Sequence, residues 1–283
     1  MSSDPNSPFW GPTTANSNFC EEDYAITRYI AEFINSLTNI SYILFAIHGL
    51  RQLHRKSNTD VFRAIPYYGL MAVGICSAAF HVTMKYHTQM MDDLSMLFAT
   101  TPVLHRVLTA RSNRQDSVRL AILLGSVLAA LVVYHVATDE LILHSVAFGV
   151  MVTVIGIRTM QLVKSRTEAN SAERRKVWGI VRFGAVIFNL GFYIWLVDNK
   201  ICGILKTWKA KIGLPWAFVL ELHGWWHIFT AIGAYIFIAI VDHLVSGEDH
   251  EELDSLAWPA PWAARSIFAG SSVDEGDSEK KQE

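Results

Sequence analysis

ELHGWWHIFTAIGAYIFIAI, residues 221–240, carries one carboxylate at its first position, two imidazoles (His223 and His227) and no other charged group. A helix that crosses the hydrocarbon of a bilayer needs roughly 20 mostly apolar residues. This run, read as a span near 216–241, supplies them. Six earlier stretches do the same, near 31–50, 62–83, 92–109, 118–136, 141–160 and 178–197. Charged residues are 18% of the chain, below the roughly 25% of an ordinary soluble domain, and they crowd into the ends and the short loops. The sequence therefore predicts an all-α, polytopic membrane protein: a seven-transmembrane-helix bundle over 30–245. A polar arm, 1–29, precedes it, and an acidic tail, 246–283, expected to be disordered, follows. A soluble helical core has no reason to hold its apolar runs so near the length a bilayer sets. A net charge of −2 offers no basic surface for nucleic acid. The first residues lack the basic start and apolar core of a cleavable signal peptide, so the first span is expected to do the targeting.

Lysine and arginine mark cytoplasmic loops. The first loop (RQLHRKSNTDVFR), the third (HRVLTARSNRQDSVR) and the fifth (158–182) are basic, whereas the fourth holds Asp139 and Glu140 and the arm holds Glu21, Glu22 and Asp23. The N-terminus is thus expected in the lumen or outside the cell, and the C-terminus in the cytosol. Loop six, with Lys200, Lys206, Lys209 and Lys211, runs against this pattern. Of the three cysteines, Cys76 falls within the second span. Cys20 and Cys202 fall on the oxidising side, where a disulfide persists, and a Cys20–Cys202 bridge is expected.

Ionisable and strongly polar groups inside spans are rare and usually functional. Here they are Glu32, Asn35 and Asn39 on the first span, Ser77 and His81 on the second, Asp92 and Asp93 at the start of the third, and His223 and His227 on the last. Threaded through the expected topology, all reach a similar depth near one face. Histidines at i and i+4 share a helix face, a geometry suited to capture of one metal ion. His81 is the expected third ligand; His87 competes, but lies in the loop and off the Ser77/His81 face. Three protein ligands with a fourth position open is the arrangement of a catalytic zinc site. The other histidines, among them His48, His135 and His144, read as loop, interface or solvated residues, and the Trp225–Trp226 pair as an interfacial anchor or as packing.

Three blocks carry a resemblance. PFWGPTTANSNFCEEDYAITRYIAEFINSLTN, SAAFHVTMKYHTQMMDDLSM and ELHGWWHIFTAIGAY, with LVDNKIC between the last two, together resemble the signature blocks of the alkaline ceramidases and extend from about residue 9 to 241. The resemblance implies a seven-span intramembrane zinc amidase of the endoplasmic reticulum or Golgi membrane, splitting a ceramide-type lipid into a sphingoid base and a fatty acid. It implies His81, His223 and His227 as zinc ligands, Ser77 and Asp92 beside the attacking water, and the Cys20–Cys202 disulfide. It further implies a calcium site of Asn18, the Phe19 carbonyl, Glu21, Asp23 and Glu32. The chain departs from the pattern at Asn18-Phe19, where the family usually shows Asp-Trp, at Asp23, where it shows Asn, and at Asp92-Asp93-Leu94-Ser95, where it shows Asp-Glu-x-Pro. The acid and amide exchanged between 18 and 23 leave the carboxylate count unchanged, and calcium accepts either oxygen donor. The expected chemistry has Asp92 as proton acceptor and Ser77 as oxyanion donor. The alternatives are a non-catalytic seven-span lipid receptor with a structural zinc, a hydrolase of another lipid amide, or a transporter, for which no internal repeat speaks.

Overall fold

A computed structural model describes residues 7–56, 60–247 and 253–268. Among the described residues all regular structure is helical apart from one isolated bridge, Thr27 to Ile30. The helices are α1 (Phe33–Thr38), α2 (Ile40–His54), α3 (Val61–Thr83), α4 (Tyr86–Thr109), α5 (Arg114–Thr138), α6 (Leu141–Arg166), α7 (Ala172–Ile212), α8 (Leu222–Ser246) and α9 (Pro261–Ser266). Six stretches among the described residues are long and apolar enough to cross a membrane: Phe33–His54, α3, α5, α6, α7 and α8. This is a multi-pass membrane architecture. α4 has comparable length, 24 residues, but His87, Asp92, Asp93, His105 and Arg106 hold down its apolarity.

α8 is the centre of the bundle. Of its most apolar stretch 67% is buried, against 6% in α5, so α8 packs on protein while α5 faces outward. α1, α2, α3, α4, α6 and α7 all pack against α8. Its closest approach is to α7, where a Cβ on Gly233 would meet the Phe188 Cβ at 2.7 Å; only glycine admits that spacing.

The two ends of the bundle differ in character. At one end α8 carries Asp242, buried, with Arg63 Nη2 and Arg106 Nη2 each at 2.8 Å and Lys56 at 3.5 Å. Part of the stretch expected to be disordered closes this end: a 3-10 turn (Leu253–Ala257) and α9 pack on α7, with Leu256, Ala257, Ala263 and Ala264 buried. Trp258 stacks on His48 at 4.7 Å. The short helices form because apolar residues lie among the acids there; 269–283 falls outside the described residues.

At the other end the arm folds over the α3–α4 turn. The Thr14 and Ala15 amides donate to the Met84 carbonyl, those of Ala31 and Glu32 to the Val82 and His81 carbonyls, and Lys85 reaches the Pro12 carbonyl. Asn16 and Ser17 donate to Gln89 Oε1. α3 ends here because Met84 takes a left-handed conformation, φ 50°. α4 consequently starts at Tyr86, so Asp92 lies well inside that helix, not at its opening as expected. The stretch read as loop six is largely helix as well: α7 continues past a break at Ile201 to Ile212, and a 3-10 turn, Trp216–Leu220, precedes α8.

Candidate metal centre

α3 delivers His81 in its last turn, and α8 delivers His223 and His227 in its first two. Helical spacing stacks the α8 pair, with ring centroids 4.6 Å apart, and the ends of the two helices meet to place His81 5.0–5.1 Å from both. One ligand atom from each ring lies within 4.8 Å of the other two, and all three residues are buried. Phe19 of the arm stacks on the His223 ring at 3.6 Å and roofs the cluster.

Hydrogen bonds select the nitrogen each ring turns inward. His81 Nδ1 is 2.5 Å from Glu32 Oε2; the carboxylate accepts, so Nδ1 carries the proton and Nε2 is free. The Thr38 hydroxyl donates to the Ile34 carbonyl at 2.9 Å, which leaves its lone pair to accept from His227 Nδ1, also at 2.9 Å. His81 Nε2 and His223 Nδ1 are buried without any hydrogen-bond partner. Each such atom costs about 1–3 kcal/mol when left unpaired, and two of them beside a third imidazole make a group that could hold a metal ion. Three neutral nitrogens fit zinc and leave its fourth position open. Carboxylate and hydroxyl partners that fix ring orientation are what a ligating histidine requires.

Ser77 lies one turn before His81 on the same helix, buried, and its side chain is within hydrogen-bonding reach of Asp92 on α4. Tyr42 flanks His227, ring centroids 6.3 Å apart, and shares a 2.5 Å hydrogen bond with Thr230. His87, the competing third ligand, is exposed in the first turn of α4, away from the cluster.

The acids of the arm gather beside this centre. Asn18, Phe19, Glu21 and Asp23, with Glu22 and Lys206, line an open cleft of about 470 Å³. Glu32 turns inward instead, spending Oε2 on His81 and Asn35 and accepting from the Phe19 amide through Oε1. Glu21 caps α1 by accepting from the Ile34 and Asn35 amides at 2.7 and 2.8 Å. Burial, reinforced by the nearby Glu221 and Glu32, nevertheless pushes its carboxyl up to about 7. Asp23 Oδ2 accepts from Thr13 and Asn18, and Asp23 Oδ1 is buried with no partner. An orphaned carboxylate oxygen beside a carboxyl held above its ordinary range is a donor set that a hard cation such as calcium suits. Among the described residues, however, only the three imidazoles close to within 4.8 Å of one another.

The roof is tied down from α7. Cys20 and Cys202 form the expected disulfide. Lys209 Nζ donates to the Cys20 carbonyl at 3.0 Å and pairs with Glu221 at 2.8 Å. Asp198 accepts from the Cys20 amide at 3.3 Å and from the His223 amide. Thr38 and the partnership of Glu32 with His81 escaped the reading of the sequence. So did a buried network in which Gln89 bonds Asp93 and Asp139, His135 Nε2 lies 3.1 Å from Asp93, and His144 donates to the Asp93 carbonyl at 2.8 Å. Of the loop, interface or solvated settings expected for His135 and His144, the structure gives both the interface one: each is buried against α4. The one available signal was an acid, Asp93, within an apolar run.

Residues 11–267 match the family model described as Ceramidase. The chain is 30% identical over 249 residues to alkaline ceramidase YPC1 of Saccharomyces cerevisiae, covering 83% of this chain and 78% of the yeast protein. It is 29% identical over 238 residues to mouse alkaline ceramidase 3, covering 81% and 84%.

Proposed function

The chain belongs to the ceramidase family, and from that premise we propose that it is a zinc-dependent intramembrane amidase that cleaves ceramide into a sphingoid base and a fatty acid. The observation that carries this reading is the pair of orphaned nitrogens on His81 and His223, in a cluster with His227 whose ligand atoms lie within 4.8 Å of one another. A bound zinc ion there supplies Lewis acidity: it polarises a carbonyl and makes water nucleophilic near neutral pH. Asp92 takes the proton from the attacking water and returns it to the departing amine. In this reading Ser77 donates its single hydroxyl proton to Asp92 while that carboxyl is ionised. Once Asp92 is protonated, that donor is released to the developing oxyanion, a role worth on the order of 10²–10³ in rate. Glu32 and Thr38 hold His81 and His227 in the tautomers that present Nε2, and Phe19 shields the centre from bulk water.

In the same reading α4 also crosses, as the third of seven spans. The N-terminus and metal centre face the lumen of the endoplasmic reticulum or Golgi, the C-terminus faces the cytosol, and calcium among Asn18, Phe19, Glu21, Asp23 and Glu32 braces the arm. Two of the loop-six lysines that oppose this orientation sit beside acids, Lys209 with Glu221 and Lys206 in the acidic cleft, which weakens their vote. The test is to purify the protein, quantify bound zinc, and follow fatty-acid release from a panel of ceramides and other lipid amides, with His223→Ala as control. Stoichiometric zinc and ceramide hydrolysis, both lost in His223→Ala, are expected. Zinc without turnover of any amide points to a receptor and sinks the amidase reading; turnover of other amides alone reassigns the substrate.

A further inference from the structure

The metal centre accounts for one face of the end of α7 and leaves the other unexplained. α7 runs 41 residues, about 60 Å at 1.5 Å per residue, twice the hydrocarbon thickness. A straight helix of that length stands far out of the bilayer, yet its outward side stays apolar to its end. Leu190, Tyr193 and Val197 before the break at Ile201, and Ile204, Trp208 and Ile212 after it, are all exposed. On each side of the break they recur every three or four residues, so that each half carries an apolar stripe. Beyond the helix, Leu214, Trp216 and Val219 continue the exposure, Trp216 at 71%. On the adjoining face of 201–212, about a quarter-turn round the helix, Cys202, Leu205 and Lys209 turn to the protein. Helical spacing sets Lys200 and Lys211 along one edge of the stripe; both are exposed, and neither makes an ion pair among the described residues.

We propose that residues 201–219 lie in the headgroup zone of the leaflet on the metal-centre side, with Ile204, Trp208 and Ile212 turned to the acyl chains and Lys200 and Lys211 on lipid phosphates. Tryptophans favour that depth, lysines snorkel to it, and an interfacial helix buries its apolar face at the acyl boundary. The break at Ile201 lets the chain turn at the point where it leaves the hydrocarbon. Lysines placed this way face phosphate and not cytosol, which accounts for the two that no acid offsets. Since the inner face of the same segment holds Cys20 and Glu221, the lipid surface fixes the height of the roof above the metal centre. The inference rests on the helices crossing a membrane and not on the reaction.

Full-length protein is reconstituted into phosphatidylcholine vesicles whose acyl chains carry bromine either near the ester or near the methyl end, and the Trp208 signal is taken as wild type minus Trp208→Phe. Shallow bromine is expected to quench that signal about twofold or more over deep bromine, given burial of the apolar face only to the acyl boundary. No quenching by either lipid, or stronger quenching by the deep one, overturns the proposal. Adding phosphatidylserine is expected to shift Trp208 emission to the blue in wild type and not in Lys200→Glu/Lys211→Glu; an equal response in both refutes the phosphate contact. Trp216→Phe serves in the same way should Trp208→Phe fail to fold. Fluorescence does not read turnover, so a negative result leaves the proposed amidase activity standing.

Discussion

Thr38→Val removes one hydroxyl and tests whether the tautomer of His227 is set from outside the metal centre. In the wild type the Thr38 lone pair accepts from His227 Nδ1 at 2.9 Å while its proton goes to the Ile34 carbonyl. Valine keeps the shape and loses the acceptor, and its methyl cannot sit at 2.9 Å from a ring nitrogen, so the imidazole retreats by about 0.5 Å. Loss of a partner that orients a metal-bound imidazole lowers metal affinity about 10–100-fold. The expected loss is about tenfold, or ~1.4 kcal/mol. Zinc affinity is measured by chelator competition on purified protein, with ceramide turnover at saturating zinc alongside. Thr38→Ser retains the hydroxyl and is expected near wild type. If Thr38→Val binds zinc as tightly as wild type, or if Thr38→Ser loses as much, hydrogen bonding to His227 is not what holds the ligand.

Three further outcomes follow from other contacts. Asp242→Asn leaves Arg63 and Arg106 without their shared counter-charge in a buried site, at a cost of about 3–5 kcal/mol. A lowered melting temperature with full zinc content is expected, because Asp242 lies 15 residues along α8 from His227, about 22 Å. Glu21, held near 7, keeps its proton below that pH, and calcium must expel it. Apparent calcium affinity should therefore rise with pH up to about 7, by up to tenfold per unit for one proton. A carboxyl raised in the folded state stabilises the fold fully below its unfolded value of 4.5 and loses that contribution as pH climbs through 7. Calcium-free protein should thus melt lower at pH 8 than at pH 5, and calcium should abolish the difference; a flat profile without calcium refutes the assignment. Gln89→Leu strands the Asn16 and Ser17 amides, which now donate to Gln89 Oε1. Hydrogen exchange at those two amides should accelerate while zinc stays bound, and unchanged protection would mean that the arm is held elsewhere.

Much of the fold was legible because a bilayer imposes one short-range rule, about 20 apolar residues per crossing. The runs at 62–83, 118–136, 141–160 and 178–197 fall inside α3, α5, α6 and α7. The third run began too late, at 92, because its polar first turns, Tyr86 to Met91, are helical through packing and not through apolarity. The same bias made the tail look unstructured, although 253–268 finds a surface on α7 and α8. Within the site, the i, i+4 pair of His223 and His227 is a property of one helix, so the sequence carried it whole; the common depth of the polar groups pointed to His81, and the resemblance of three blocks added the calcium residues of the arm.

By itself, then, the chain determined that apolar helices bundle, that two imidazoles share a face, and that Cys20 and Cys202 fall on one side of the membrane. Only the tertiary structure decided which nitrogen each histidine turns inward, that Glu32 serves His81 while Glu21 caps α1, that His135 and His144 are buried on Asp93, and that α7 outruns the bilayer. The physical reason is range. Helical periodicity and bilayer length act between neighbours, whereas a hydrogen bond such as Thr38 to His227, 189 residues apart, exists only once packing has brought the two helices together.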